Sequence, residues 1–331
     1  MAEKVVFITG GTGFVGRILI KKLKEKGFYI IALVRRSSDL SAIEKFVDKE
    51  VVGDIQDKDS FENYLENVDV VYHLAGVVTD WAPKRRYYDV HVKGTRNILE
   101  VVRKHNVKSF VHLSTIDVFA HESFGVVNED SPFTDSKVPY RQTKLEAHKL
   151  VFDELHKKNM NIFILCPTWV YGDGDRIFVS EIIKQLKKRQ FVFIGDKNNS
   201  LPMVHVDNLS SILVELAIDN DYKSGTFIVS DVNTTWAHLV KIICDNIGVE
   251  YPRITIPFNI AYFLGYLMEV CAHLTKSKTR PLLTRTAVET VGKSINVDIL
   301  HLRAVIKYQS KSDFDIRIVE AINSLKTESV S

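Results

Sequence analysis

Along the first half of the chain, short runs of β-branched and aromatic residues alternate with longer stretches whose apolar residues recur at helical spacing. The runs at 5–9, 29–34, 50–53, 70–74, 109–114 and 161–166 read as buried strands. The stretches at 14–26, 57–67, 85–105 and 137–158 read as helices packed on them. Strand–helix alternation of this kind predicts an α/β fold with a doubly wound parallel sheet, because parallel neighbours need a crossover helix between them. After Pro167 the rhythm turns irregular. Loops at 172–175 and 195–200 interrupt it, helical patterns then predominate, and no internal repeat is visible.

One stretch departs from soluble patterning. Residues 256–274 read IPFNIAYFLGYLMEVCAHL, long and apolar but carrying Asn259, Glu269 and His273. A membrane span wants about 20 apolar residues with few charges. The expectation is instead a helix lying on a membrane surface, giving peripheral contact, or covering a hydrophobic substrate pocket.

The 331 residues are 45% hydrophobic and 26% charged, with a net charge of only +3, so bulk charge gives no reason to expect nucleic acid. Cys166, Cys244 and Cys271 are far apart and have no metal-ligand spacing, so no metal site is expected. Reduced, mostly buried thiols, and a first strand that starts at Val5 with no room for a signal peptide, point to a cytoplasmic protein.

Residues 9–16 read TGGTGFVG between an apolar strand and an amphipathic helix. Gly10 suits the tight turn, Gly13 the approach of a pyrophosphate, and Gly16 close helix–strand packing. Thr12, Phe14 and Val15 complete the loop and the helix N-terminus, whose N–H groups face an anion. A Rossmann-type dinucleotide-binding domain over 1–170 follows, with the 203–230 region contributing, and a smaller, mainly helical substrate lobe over 171–331. At the end of the second strand an NAD site would place a carboxylate, but the chain reads LVRRSS. Arg35 and Arg36 suit a 2′-phosphate, favouring NADP(H). NAD(H) stays open through Asp39. Asp54 and Ile55 after the third strand suit the adenine edge, with a simple loop cap the alternative for Asp54. Leu74, Ala75 and Gly76 after the fourth strand are small enough for a ribose to lie against backbone.

Tyr140 and Lys144 stand four apart, on one face of a helix. Ketone reduction needs hydride at carbon and a proton at oxygen. A free phenol, pKa about 10, is a poor proton donor or acceptor near neutrality. A neighbouring ammonium, aided by an oxidised nicotinamide, would lower that pKa. Lys144 could also donate to ribose hydroxyls. Ser114-Thr115 closes the fifth strand and offers a hydroxyl to orient the carbonyl. A bare Y-x-x-x-K means little; the order of glycine loop, hydroxyl-bearing strand end and Tyr–Lys helix is what carries the reading.

On these residues the chain resembles the extended short-chain dehydrogenase/reductase family, from Val5 to about Leu216. The motifs are TGGTGFVG, YHLAG, HVKGTRN, LSTIDV, YRQTK, CPTWVYGDGD and MVHVDN. The resemblance implies a Thr115 carbonyl helper with Ser114 as companion, Tyr140 as acid/base, Lys144 beside it, and nicotinamide contacts from Pro167, Thr168 and Val170. It also implies homodimer pairing through the helices at 85–105 and 137–158. Two positions depart: His91 stands where asparagine is usual, and Cys166 where arginine is usual before the proline. The layout of the C-terminal half is most similar to the 3β-hydroxysteroid dehydrogenase branch, implying a small hydrophobic carbonyl or alcohol substrate (a steroid, a β-keto acid or a flavonoid-type ketone).

Two other functions use the same elements: a nucleotide-sugar epimerase or dehydratase with bound NAD, and a non-catalytic nucleotide sensor. The arginine pair, and the lack of a glycine-rich turn in FIVSDVNTTWAHLV, argue against the first. The intact tyrosine and lysine argue against the second. His73, His112 and His205 sit in apolar strands and read as hydrogen-bonded core residues, while His121 and Glu122 could reach a substrate cleft.

Overall fold

In this computed structural model the described residues are 4–79, 81–120, 125–157, 160–219, 221–275, 277, 279–306, 308–310 and 313–328, so His121 and Glu122 lie outside them. The first half folds as β1 (Val5–Thr9), α1 (Phe14–Glu25), β2 (Tyr29–Val34), β3 (Lys49–Val52), β4 (Val70–His73), α2 (Lys84–Tyr87), α3 (Gly94–Lys104), β5 (Ser109–Leu113), α4 (Pro139–Leu155) and β6 (Asn161–Pro167). Then follow β7 (Trp169–Tyr171), α5 (Val179–Lys187), β8 (Ser200–His205), α6 (Val206–Ile218), β9 (Gly225–Val229), β10 (Val232–Thr235) and α7 (Trp236–Ile247). The chain ends with α8 (Phe258–Leu274), α9 (Arg285–Val291), α10 (Leu300–Ile306) and α11 (Phe314–Glu328).

Seven strands form one sheet in the order β9-β6-β5-β4-β1-β2-β3, and every pair runs parallel. Strand order reverses between β1 and β4, so the loops leaving their carboxyl ends diverge and open a crevice there. Helices cover both faces, which is why β4 is buried along its whole length. Val6, Ile8, Leu19 and Tyr72 pack on the α1/α6 side; Phe7, Val71, Ile98 and Val151 pack on the α3/α4 side. Burying a side chain such as Leu19 or Ile98 completely contributes roughly 1.5–3 kcal/mol. A separate smaller core around Tyr171, Leu201, Trp236 and Ile318 holds the second lobe.

Three elements differ from expectation. Residues 57–67 form two 3-10 turns, Lys58–Ser60 and Glu62–Tyr64, in place of a helix. Phe61 and Leu65 are buried at helical spacing, but the Ser60 hydroxyl donates to the Asp57 carbonyl (2.6 Å) and tightens the turn. Residues 85–105 are interrupted by a π-helical turn at Tyr88–Lys93 between α2 and α3. Finally, Leu302 and Ile306 of α10, outside the 1–170 and 203–230 ranges, pack into the core of the main sheet, which β9 joins beside β6. Late segments of the chain therefore help complete the main sheet and its core.

The lobe is tied to the sheet by a buried cation. Arg141, 6% exposed on α4, reaches Asp117 Oδ1 after β5 and Glu289 Oε2 on α9, both at 3.1 Å. Removing the guanidinium leaves two partly buried carboxylates without it, a loss of about 3 kcal/mol, tempered by their residual solvent contact. Arg141→Met should lower the urea midpoint accordingly. Arg141→Lys should recover only part, because one ammonium cannot fork to both partners. An unchanged midpoint in Arg141→Met would show that the clamp contributes nothing to stability.

Candidate active site

A cavity of about 650 Å³ opens at the carboxyl edge of the sheet. Gly10, Thr12, Gly13, Phe14 and Val15 line it from the β1–α1 loop. Arg35, Asp54 and Ile55 line one end, and Leu74, Ala75 and Gly76 follow β4. Ser114, Thr115, Tyr140, Pro167, Thr168 and Val170 line the rest of the wall. Of the expected site residues, Arg36 and Lys144 are not part of the lining. Arg36 is exposed on the turn after β2. Lys144, 8% exposed, lies behind the wall and donates from Nζ to the Leu113 carbonyl (2.8 Å).

The glycine loop fits a dinucleotide. Gly10 has φ +75°, and a Cβ there would come within 2.6 Å of the Ala75 backbone nitrogen. At Gly16 a Cβ would lie 2.3 Å from the Gly10 carbonyl oxygen, so α1 can seat this close only without one. No side chain caps the N-terminus of α1 and its first turn holds no acid, leaving its dipole available to an anion. Arg17 on α1 donates from Nη2 to the Gly174 carbonyl (2.5 Å), pinning the 172–175 loop beside this turn. In that loop the buried Asp175 carboxylate accepts from the backbone N–H groups of Ile177, Phe178 and Val179, and burial raises its pKa. At the other end of the cavity, Asp54 accepts from the Gln56 backbone N–H (2.9 Å), so it caps its turn as well as lining the wall. Asp39 is turned to the Ser41 N–H (3.0 Å).

Around Tyr140 the packing is close. Its ring meets His91 edge-on at 5.8 Å and Tyr87 at 6.2 Å. Burial raises the phenol pKa, and the Asp117 carboxylate raises it further; a hydrogen bond with Thr115 works the other way. In the protein by itself, then, burial outweighs the acidification expected from Lys144. Lys144 is itself pushed down to about 8 by burial. Ser114 is committed elsewhere, its hydroxyl lying 2.9 Å from His148 Nδ1, with the Cys166 thiol 4.0 Å from the same nitrogen. Burial pushes that thiol up to about 12. Thr115, whose hydroxyl accepts from the Asp117 N–H (3.3 Å), is the hydroxyl at this strand end that lowers the phenol pKa.

The π turn gives His91 a clear role. Its Nε2 accepts from the Val77 N–H (2.9 Å), and its Nδ1 lies 2.9 Å from Thr143 Oγ1. The Thr143 hydroxyl donates to the Pro139 carbonyl (2.8 Å), so Nδ1 carries the hydrogen. Burial, with the Lys144 charge second, pushes the imidazole down to about 3, so it is neutral at physiological pH. A neutral His91 therefore stitches the loop after β4 to the first turn of α4. The sequence showed an unusual residue here but not its two partners, which lie 14 and 52 positions away.

The other histidines are core residues. His73 bonds Thr9 and Thr95 (2.8 and 2.9 Å), and His205 Nδ1 accepts from Asp207 N–H at the start of α6. His112 is buried and stacks on His73 at 5.4 Å, but neither ring nitrogen has a hydrogen-bond partner among the described residues, against the sequence expectation. Trp169, between Thr168 and Val170, lines the cavity with them, and Val77 to Thr79, Arg86, Asp117, Phe178, Thr290 and Ile295, which were not foreseen, also line it. They come from loops, from the short helix α2 and from α9, where no local periodicity marks them. No α8 residue is among the lining, so the apolar helix does not cover this pocket. The described residues contain no group of three or more potential metal ligands.

Comparison with known proteins shows the family and the fold. A 2-alkyl-3-oxoalkanoate reductase of Shewanella oneidensis is 24% identical over 318 residues, covering 90% of this chain and 81% of its own. Short-chain dehydrogenase/reductase family 42E member 1 of Xenopus laevis is 28% identical, covering 88% of this chain and 81% of its own. Among solved structures, gox2253 superposes with a TM-score of 0.82 at 22% identity, covering 98% of this chain and 99% of that one, which speaks to the fold. Residues 6–229 match the NAD dependent epimerase/dehydratase family, the extended short-chain dehydrogenase/reductases, and the chain belongs to that family of nicotinamide-dependent enzymes.

Proposed function

We propose that this enzyme interconverts a ketone and a secondary alcohol on a bulky hydrophobic molecule (a steroid, a β-keto acid or a flavonoid-like ketone), with NADP(H) favoured. The observation that carries the reading is convergence: the glycine loop, Thr115 and Tyr140 open onto one cavity, with Lys144 directly behind. The substrate class rests on the wall, where Val77, Val90, Ile116, Trp169, Phe178 and Ile295 face the space. Among the described lining residues the cations are Arg35 and Arg86, little to hold a nucleotide sugar's diphosphate beyond the cofactor's own. The 2-alkyl-3-oxoalkanoate reductase relative points to the same substrate chemistry. The coenzyme preference rests on Arg35 lining the cavity beyond β2 with no carboxylate at that strand end.

Gly10, Gly13 and the start of α1 would hold the dinucleotide phosphates, and Pro167, Thr168 and Val170 its nicotinamide end. When bound, the dinucleotide supplies or removes a hydride at the substrate carbon. Tyr140 holds a proton at Oη, and because burial raises the phenol pKa it stays protonated at neutral pH, set to donate to a carbonyl oxygen. Thr115, on the same cavity wall, would orient that oxygen. Lys144 remains mostly charged below about pH 8 and supports the phenol from behind the wall. This charge state favours the direction of reduction.

Supplied with NADPH or NADH and a panel of sterol, β-keto acid and aromatic ketones, the enzyme should turn over at least one bulky apolar carbonyl and prefer NADPH. Arg35→Ala should erase the coenzyme preference. Tyr140→Phe should lower kcat by roughly 10²–10⁴ and leave coenzyme binding intact. Silence with every carbonyl despite coenzyme binding, or NAD and a nucleotide sugar co-purifying with the protein, would move the assignment to epimerase chemistry.

Lys144 offers a second test. Its folded pKa, about 8, lies below the ordinary 10.5, so the unfolded chain binds the proton more tightly. The buried charge therefore opposes folding fully below pH 8, and that cost fades as pH rises from about 8 to 10.5. Lys144→Met should abolish turnover while raising thermal stability relative to the parent at pH 7, with the gap closing towards pH 10. A gap that is constant with pH would mean that the ammonium is not desolvated.

A further inference from the structure

We infer that helix α8 is a docking surface for a lipid bilayer bearing anionic headgroups, a property independent of the redox reading. Its inner side is narrow: Ala261 and Gly265 are the buried positions, and Gly265 lets the Thr284–Arg285 backbone approach to about 3 Å of where a Cβ would stand. The outer side is apolar at helical spacing, with Ile260, Phe263, Leu264, Leu267, Cys271 and Leu274 all exposed, Phe263 by 58% and Leu274 by 78%. The helix's one carboxylate, Glu269, turns inward, accepting from Arg285 at the backbone N–H (2.7 Å) and from its guanidinium (2.7 Å). A helix that is apolar on the side facing away from its protein calls for an apolar neighbour. At 17 residues it is about 26 Å long, and no helix among the described residues is long and apolar enough to cross a membrane.

Charge around the helix selects the neighbour. Past its C-terminus the sequence reads TKSKTR, and at that end His273 meets Trp81 edge-on at 5.1 Å. Three residues after Trp81 begins the exposed run Lys84, Arg85, Arg86. An apolar stripe flanked by cations and an interfacial tryptophan matches the headgroup–acyl boundary of an anionic leaflet. A second copy of this chain fits worse, because a two-fold contact through the same patch would bring the cations of one protomer against those of the other. Docking on α8 also sets the protein's orientation. Trp81 lies two residues after Thr79 of the cavity wall, so the mouth would sit beside the bilayer, where hydrophobic substrates partition.

The test is co-sedimentation of the full-length protein with phosphatidylcholine vesicles, with and without phosphatidylserine. Wild-type protein should pellet with the phosphatidylserine vesicles, less with phosphatidylcholine alone, and less as salt is raised. Phe263→Asp with Leu267→Asp should weaken partitioning on the order of tenfold or more at an unchanged melting temperature. Lys84→Glu with Arg280→Glu should remove the phosphatidylserine preference and leave the weaker binding. Wild-type protein remaining in the supernatant with both vesicles overturns the inference, as does the double aspartate variant pelleting like wild type. A dimer in sedimentation velocity that the aspartates dissolve, with no vesicle binding, assigns the face to a second copy instead.

Discussion

Helix α1 sits so close to the end of β1 that a single methyl group at Gly16 would meet the Gly10 carbonyl at 2.3 Å. This contact aims the helix N-terminus into the crevice between β1 and β4, where the sheet order reverses. On the other wall, Gly10 at positive φ leaves room for the Ala75 backbone, so the loop after β4 can close against it. The dinucleotide cradle is therefore a consequence of backbone meeting backbone at two glycines. Thr115, Tyr140 and Val170 gain chemical meaning from facing the same space.

Two polar devices hold α4 in place, one of them against the loop after β4. Neutral His91, turned inward by the π-helical turn, joins the Val77 N–H to the Thr143 hydroxyl one turn into α4. Arg141, the residue after Tyr140, joins Asp117 beside Thr115 to Glu289 on the lobe. Tyr140 thus stands between one clamp to the loop after β4 and one to α9. Both are buried and hydrogen-bonded, the condition under which polar groups fix geometry.

The same burial governs the proton chemistry. Desolvation raises the phenol and lowers the ammonium, so the pair rests as neutral tyrosine and a lysine close to losing its proton. A resident cationic ring would favour the phenolate, whereas the neutral reduced ring would not, so the state of the pair would follow that of a bound coenzyme. On the outside of the lobe, α8 shows the reverse balance, apolar surface held in water next to exposed cations.

Much of this was legible in the residues alone. Strands of the first half, the glycine loop and the Tyr140–Lys144 pair are written in local spacing, because backbone geometry has fixed periods of 2 and 3.6 residues. Spacing failed at 57–67, where a serine hydroxyl bonded to a nearby carbonyl drew a helix-like pattern into tight turns. It could not reveal that α10 packs into the core of the main sheet, or that Arg141 would meet Glu289 across 148 positions. Nor could it show which way burial would push Tyr140, since desolvation depends on everything that surrounds a group. Contacts between distant segments are chosen by packing the whole chain at once, and the directions of charge at the site follow from that packing.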